Sequence, residues 1–286
     1  MDLRYLREHP GQLPVFIKHQ RIRETPVPGG SICTAQRLTL DNGGSLFAKS
    51  LADPPPGFFA AEAAGLRWLR AAGAVPVPEI IAELPDLLAL EWIEHGEATP
   101  EGAEELGRGL AGLHRAGADA FGAPWAGYIG TSPLPNEPST RPWGQWFAEY
   151  RLQPFLAAST EALSGNDIAG VERVISEISA YGGDEPPSRI HGDLWPGNVL
   201  WDHRGTGWLV DPAAHGGHRE TDLALLGLWG GVAHHDRLLA AYREAWPLAD
   251  GWLERVPLHR LYLMLVHTAL FGAAYGDSVR ALLRAL

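Results

Sequence analysis

Three oxygen-bearing side chains in one short stretch stand in an arrangement that can do chemistry: Asp193, Asn198 and Asp211, within 188–222 (SRIHGDLWPGNVLWDHRGTGWLVDPAAHGGHRETD). Asp193 and Asn198 are spaced D-x-x-x-x-N, and Asp211 follows two short apolar runs. The runs Val199-Leu200-Trp201 and Trp208-Leu209-Val210 have strand composition, and residues 202–207 between them have turn composition, which predicts a β-hairpin. The ends of such a hairpin lie roughly 5 Å apart, the cross-strand distance. Asn198 at its entrance and Asp211 at its exit can then share one hard divalent cation through oxygen, with Asp193 facing the same point from the preceding loop. This is the constellation of kinase phosphoryl transfer, in which the first acid takes or orients the acceptor hydroxyl proton, and the Asn and second acid hold Mg²⁺ on the nucleotide phosphates. A surface hairpin rich in Asp and Asn for turn propensity is the plain alternative. Against it, Asn occurs only at 42, 136, 166 and 198, and Asn198 precedes a strand instead of sitting in the turn.

Upstream elements must position a nucleotide against these groups. Strands are expected at 21–27, 35–40 and 45–49, the last two joined by an Asn42-Gly43 turn. Gly29, Gly30 and Ser31 lie between strands, where glycine lets backbone amides approach a phosphate. Lys18 and Lys49 are the only lysines, and Lys49 closes the third strand, where a kinase places its phosphate-contacting lysine. A helix at 58–72 carries Glu62 in its first turns, the partner that would orient Lys49. Strands at 79–82 and 87–92 lead to a hinge at Glu91, Trp92 and Ile93, with the backbone of Glu91 and Ile93 meeting the adenine edge. Helices dominate thereafter, at 101–116, 146–156, 168–180, 223–228, 237–246 and 258–271, with Pro257 in the first turn of the last. Between them, 118–143 is rich in Gly and Pro and carries Phe121, Trp125, Tyr128 and Trp143, which marks it as a functional loop or a cover over the helices.

Composition sets bounds. A chain of 286 residues with 45% hydrophobic and 20% charged content is an ordinary globular protein with room for two lobes. A net charge of -11 argues against a nucleic-acid or anionic-membrane partner, yet not against ATP, whose phosphates answer to local cations and amides. The single cysteine, Cys33, excludes an internal disulfide framework. No zinc spacing fits His215, His218, His234 and His235. With no signal pattern at the start and no apolar run long enough to span a bilayer, a cytoplasmic enzyme is expected; its oligomeric state is open, with a monomer favoured.

The run His191-Gly192-Asp193-Leu194-Trp195-Pro196-Gly197-Asn198, with Asp211-Pro212-Ala213, resembles the fructosamine-3-kinase (ketosamine-3-kinase) family of aminoglycoside-phosphotransferase-like kinases. The likeness extends to Gly29-Gly30-Ser31-Ile32, Lys49, Glu62, Phe121-Gly122, Tyr128-Ile129-Gly130, the GGHRETD run ending at Asp222, the run from Ala241 to Pro247, and Phe271-Gly272. It implies an α+β, bilobal protein-kinase-like fold, with an antiparallel β-sheet lobe and one main helix over 1–93 and a mainly helical lobe over 94–286. It further implies ATP and Mg²⁺ as cofactors and the 3-hydroxyl of a ketosamine, free or protein-bound, as acceptor. Asp193 would be the catalytic base, Asn198 and Asp211 the metal ligands and Lys49 the phosphate contact. Trp195 would meet the sugar or its amine carrier. His215 and Gly216 stand where many members carry paired tyrosines, which puts His215 at the sugar side. His267-Thr268-Ala269 replaces the Asn-containing sequence common near the C-terminus. An aminoglycoside- or choline-like phosphotransferase on the same scaffold, and a catalytically silent nucleotide-binding module, stay open as alternatives. No A-P-E signature follows Asp211, which sets protein kinases aside.

Overall fold

Apolar alternation and an Asn-Gly turn build the first half of the molecule. The computed structural model describes residues 3–18, 22–28 and 32–286. Strands β1 (Ile22–Pro26), β2 (Thr34–Leu40), β3 (Ser45–Ser50), β4 (Ile80–Glu83) and β5 (Leu87–Glu91) form an antiparallel sheet in the order β1-β2-β3-β5-β4. Asn42 tightens the β2–β3 turn by accepting the Gly44 amide at 3.0 Å. One face of this sheet packs on helices α1 (Leu3–Glu8) and α2 (Leu13–Lys18) through Leu6 and Leu13, which bury against Leu38, Leu40, Leu46 and Ile81. Sequence periodicity does not reveal these two helices, because six residues each is too short a stretch to show it.

Helix α3 (Phe58–Ala71) covers the other face with Phe59, Ala63, Leu66 and Leu69. Its core is continuous with that of helix α4 (Pro100–Arg115) and with Leu194, Val199 and Leu209 around the predicted hairpin. The Thr99 side chain caps α4 by accepting the Gly102 amide at 3.0 Å, with Pro100 at the first helical position.

The aromatic loop is both cover and connection. Phe121, Ile129, Leu134 and Trp143 bury in the helical core, while β6 (Gly127–Ile129) and β7 (Ser132–Leu134) form a small hairpin. Tyr128 donates its hydroxyl to the Pro56 carbonyl at 3.0 Å, just ahead of α3. At Gly130, φ is 56°, and a side chain there would come within 3.0 Å of Ile32 and 2.9 Å of Leu270. Helices α5 (Trp143–Phe147), α6 (Gln153–Ala158) and α7 (Gly165–Ser176) follow. Two short ribbons then bracket the chemistry: β8 (Ser188–Ile190) pairs with β11 (His215–Gly217), and β9 (Val199–Trp201) with β10 (Gly207–Leu209).

The remaining helices are α8 (Arg219–Leu226), α9 (His235–Ala245), α10 (Trp252–Phe271) and α11 (Gly276–Leu283). Helix α10 buries Leu258, Leu261, Leu263, Met264 and Val266 and so is apolar all round, as a central helix must be. It starts at Trp252, so Pro257 lies inside it and not in its first turn; Gly251, in the left-handed region, marks the start. No described helix is long and apolar enough to cross a membrane.

Candidate active site

The loop after β8 is held by a carboxylate that the motif reading does not single out. Asp222, fully buried on α8, accepts the amides of His191 at 2.7 Å and Gly192 at 2.9 Å. His114 Nε2 lies 3.2 Å from the same carboxylate, and its Nδ1 lies 2.9 Å from the Tyr242 hydroxyl. The consistent proton arrangement has Tyr242 donating to His114 and His114 donating to Asp222. Next in line, His191 Nε2–H donates to the Val210 carbonyl at 2.8 Å, and its Nδ1 accepts the Asp193 amide at 3.3 Å. Burial lowers the His191 pKa, which suits this neutral, doubly bonded ring. Gly192 must be glycine: φ is 80°, and a Cβ would stand 2.3 Å from the Ala213 carbonyl oxygen.

The hairpin forms as its composition predicts, with strand β10 one residue earlier than expected. Asp202 organises its turn by accepting the amides of Arg204 and Thr206 and the indole N–H of Trp208. Val210 donates its amide to the Asn198 carbonyl at 3.1 Å, which ties the hairpin's two ends together. Asn198 Nδ2 donates to the Asp193 carbonyl at 2.8 Å and the Asp193 carboxylate at 3.2 Å, and reaches the Asp211 carbonyl at 3.5 Å. One amide group therefore links the loop acid to the hairpin acid. Asp211 itself takes φ 53°, a left-handed conformation that Asp tolerates better than most residues.

Above these groups lies a cleft of about 380 Å³ that Lys49, Glu62, Asp193, Asn198 and Asp211 all line. Lys49 Nζ stands 2.5 Å from Glu62 and 2.6 Å from Asp211. Burial disfavours the Lys49 ammonium, but the two carboxylates outweigh it and hold its pKa above the ordinary value. Burial pushes Glu62 up to about 7, even with Lys49 beside it. Burial would raise Asp211 as well, yet the Lys49 charge and hydrogen bond leave it below the usual carboxylate value. Its side chain is 50% exposed, so it remains reachable from the cleft despite its depth between the lobes. Asp193 is raised well above its ordinary value, first by burial and then by the nearby Asp211 charge.

A fructosamine kinase family model matches residues 13–286. The chain belongs to the fructosamine kinase family. It is 34% identical over 270 residues to a probable ketoamine kinase of Enterococcus faecium, covering 90% of this chain and 93% of that one. A solved structure of a candidate fructosamine-3-kinase from Thermobifida fusca superposes with a TM-score of 0.86 at 44% identity, covering 92% of each chain. A choline kinase from Cryptosporidium parvum, at 12% identity and a TM-score of 0.61 over 99% of this chain and 92% of its own, shows the fold alone. That fold is the bilobal, protein-kinase-like α+β architecture expected from the sequence.

Of the residues singled out in this family member, Lys49, Glu62, Glu91, Trp92, Ile93, Asp193, Trp195, Asn198 and Asp211 all border the cleft. Gly29, Gly30 and Ser31 lie outside the described residues; their neighbours Ile32 and Cys33 line the cleft. At the hinge, the Glu91 amide is already bonded to the Glu79 carbonyl at 2.8 Å, which takes that N–H away from a nucleotide base. The Trp92 ring is covered by Arg37 at 4.4 Å and donates its N–H to Glu94 at 2.8 Å.

His215 requires correction. It does not line the cleft: pairing of β11 with β8 turns its side chain into the core, where it is 2% exposed. Its Nδ1 bonds the Ala213 carbonyl at 2.8 Å and its ring lies 5.5 Å from that of Trp146. Ala213 and Ala214 form the cleft wall instead. Asp222, His114 and Tyr242 are the positioning residues that motif reading missed. Only Asp222 carried a signal, as the acid closing the R-E-T-D run.

The donor set fits a nucleotide-bound divalent cation of the hard class. Asp193 Oδ1 is buried with no hydrogen-bond partner, Asp211 is half open, and Asn198 spends its nitrogen on Asp193, which leaves its oxygen. Oxygen-only donors of this kind are what Mg²⁺ takes.

Proposed function

We propose that this protein is an ATP- and Mg²⁺-dependent kinase that phosphorylates the 3-hydroxyl of a ketosamine, the adduct of a sugar with an amine, as a step in deglycation. Family membership supports the acceptor class. The observation that carries the chemistry is the buried, unpartnered Asp193 Oδ1 on the cleft floor, with its other oxygen tied to Asn198. Bound ATP–Mg²⁺ supplies the phosphoryl group and neutralises charge on it during transfer. Asn198 and Asp211 would hold the cation, and Lys49, anchored by Glu62, would hold the nucleotide phosphates. Asp193 would take the proton of the acceptor hydroxyl as the hydroxyl oxygen bonds to the γ-phosphorus and the bond from that phosphorus to the departing ADP breaks. The segment at Trp92 and Ile93 would border the adenine, and the Gly29, Gly30 and Ser31 loop would cover the phosphates. Rate then comes from positioning and from fixed charges aimed at the transferred group.

Incubation with ATP–Mg²⁺ and a panel of ribulosamines, fructosamines, aminoglycosides and choline, read by mass, tests this reading. The expected result is a gain of one phosphate on ketosamines, lost when the 3-hydroxyl is replaced by hydrogen. Phosphorylation of only an aminoglycoside or choline would overturn it.

A further inference from the structure

An aromatic surface continues outward from the cleft, and neither the fold nor the phosphoryl-transfer groups need it. Trp195, which lines the cleft two residues after Asp193, meets Trp229 edge-on with ring centroids 5.2 Å apart. Trp229 packs on His267 at 5.2 Å, and His267 on Phe271 at 5.6 Å and Tyr275 at 4.9 Å. The rings come from the loop after β8, the turn after α8, and the end of α10 with the turn behind it.

Three observations single this shelf out. Trp229 is 52% and Phe271 46% exposed, so these large rings are not spent on the core. Trp229 also sits at φ 48°, ψ 42°, a left-handed conformation that costs a bulky side chain roughly 1–3 kcal/mol and is maintained where something other than packing requires it. Finally, arginines cover the rings of Trp68, Trp92, Trp146 and Trp246, whereas among the described residues no cation covers Trp195 or Trp229. The His267 Nδ1–H donates to the Leu263 carbonyl at 2.9 Å, and the ring is thereby fixed as part of the wall.

We infer that Trp195, Trp229, His267 and Phe271 form the subsite for the substituent on the acceptor's amine, selecting ketosamines whose amine carries an aromatic or long alkyl group. This rests on the ketosamine reading above. Trp195 belongs to both cleft and shelf, so an acceptor whose hydroxyl reaches Asp193 extends its amine end over Trp229. Free indole faces attract the amine's ammonium and stack on an apolar carrier. None of the shelf side chains is a carboxylate, so a cationic carrier gains no ion pair there.

The test compares kcat/KM of wild type and Trp229→Ala on two adducts of one sugar, with phenethylamine and with methylamine. A third arm uses a peptide bearing the adduct on lysine, and thermal melting confirms folding. Wild type is expected to favour the phenethylamine adduct, and Trp229→Ala to reduce that preference about tenfold, the worth of one aromatic contact. Trp229→Gly, which relieves the backbone strain as well, is expected to reduce it equally. An unchanged ratio, or a loss confined to the peptide arm, overturns the assignment. If no ketosamine is phosphorylated, the functional reading has failed instead. Calorimetry of phenethylammonium binding then decides the shelf: binding by wild type and not by Trp229→Ala supports it, and equal or absent binding overturns it.

Discussion

Two buried clusters of charged side chains differ in what they leave unpaired. In the first, Lys49, Glu62, Asp193, Asn198 and Asp211, two carboxylate oxygens, Asp193 Oδ1 and Glu62 Oε1, are buried with no hydrogen bond. In the second, His218, Glu220 and His259 place three metal-capable atoms within 4.8 Å of one another. Yet Arg255 grips both Glu220 oxygens, at 2.8 and 2.7 Å. His218 is bonded on both nitrogens, by the Gly183 carbonyl and the Glu220 amide. Thr221 lies 2.9 Å from His259 Nδ1, and the other His259 nitrogen, 3.4 Å from Glu220, is the one atom of this cluster left without a hydrogen bond. A resident guanidinium already does what a metal would do there. Chemistry belongs where donors are left over, not where His and Glu are most concentrated.

Four experiments break or sharpen this contrast. Asp193→Asn should lower kcat by about 10²–10⁴, the span of a general base, with the melting temperature nearly unchanged; a variant that unfolds would move Asp193 into the structural class. Arg255→Leu should do the reverse. Leaving Glu220 buried and unpaired is expected to cost about 3–5 kcal/mol in urea unfolding, while the folded fraction keeps its KM and kcat. Asp222→Asn tests a carboxylate that is held on both oxygens, like Glu220, but serves the first cluster. It should lose about 1.5–3 kcal/mol with one charged hydrogen bond and also lower kcat, since the loop carrying Asp193 hangs from it.

The smallest effect is a pH slope. Burial, reinforced by the nearby His259, lowers His218 to about 4, so between pH 6.5 and 4 the unfolded chain binds a proton that the native one refuses. Stability from this group is full above 6.5 and falls on acidification, by about 1.4 kcal/mol per pH unit. Burial opposes ionisation of Glu220, but the Arg255 hydrogen bonds prevail and hold it at about 2. Its contribution, present above 4.5, is lost between 4.5 and 2. Unfolding free energies at pH 6.5 and 5 should show one proton less of slope in His218→Asn than in wild type.

Much of the working cluster was legible because it is local. Asp193, Asn198 and Asp211 share one loop and one hairpin, and short-range strand and turn preferences suffice to bring them together. His215 was misjudged because the facing of a three-residue strand depends on its partner β8, which local pattern does not reveal. The start of α10 was placed too late because Pro257 reads as a first-turn proline, whereas burial on all sides sustains the helix through it. The second cluster was invisible, since Arg255 meets Glu220 only through the packing of α10 on α8. The shelf was half seen: Trp195 stood beside the motif, but Trp229 reaches it from a separate turn.

The most direct test of the contrast is anomalous diffraction from crystals grown with Mn²⁺ and a non-hydrolysable ATP analogue. One strong peak between Asn198 and Asp211, with none at His218, Glu220 and His259, is the predicted result. A peak at the second cluster, or an empty cleft with nucleotide bound elsewhere, would contradict it.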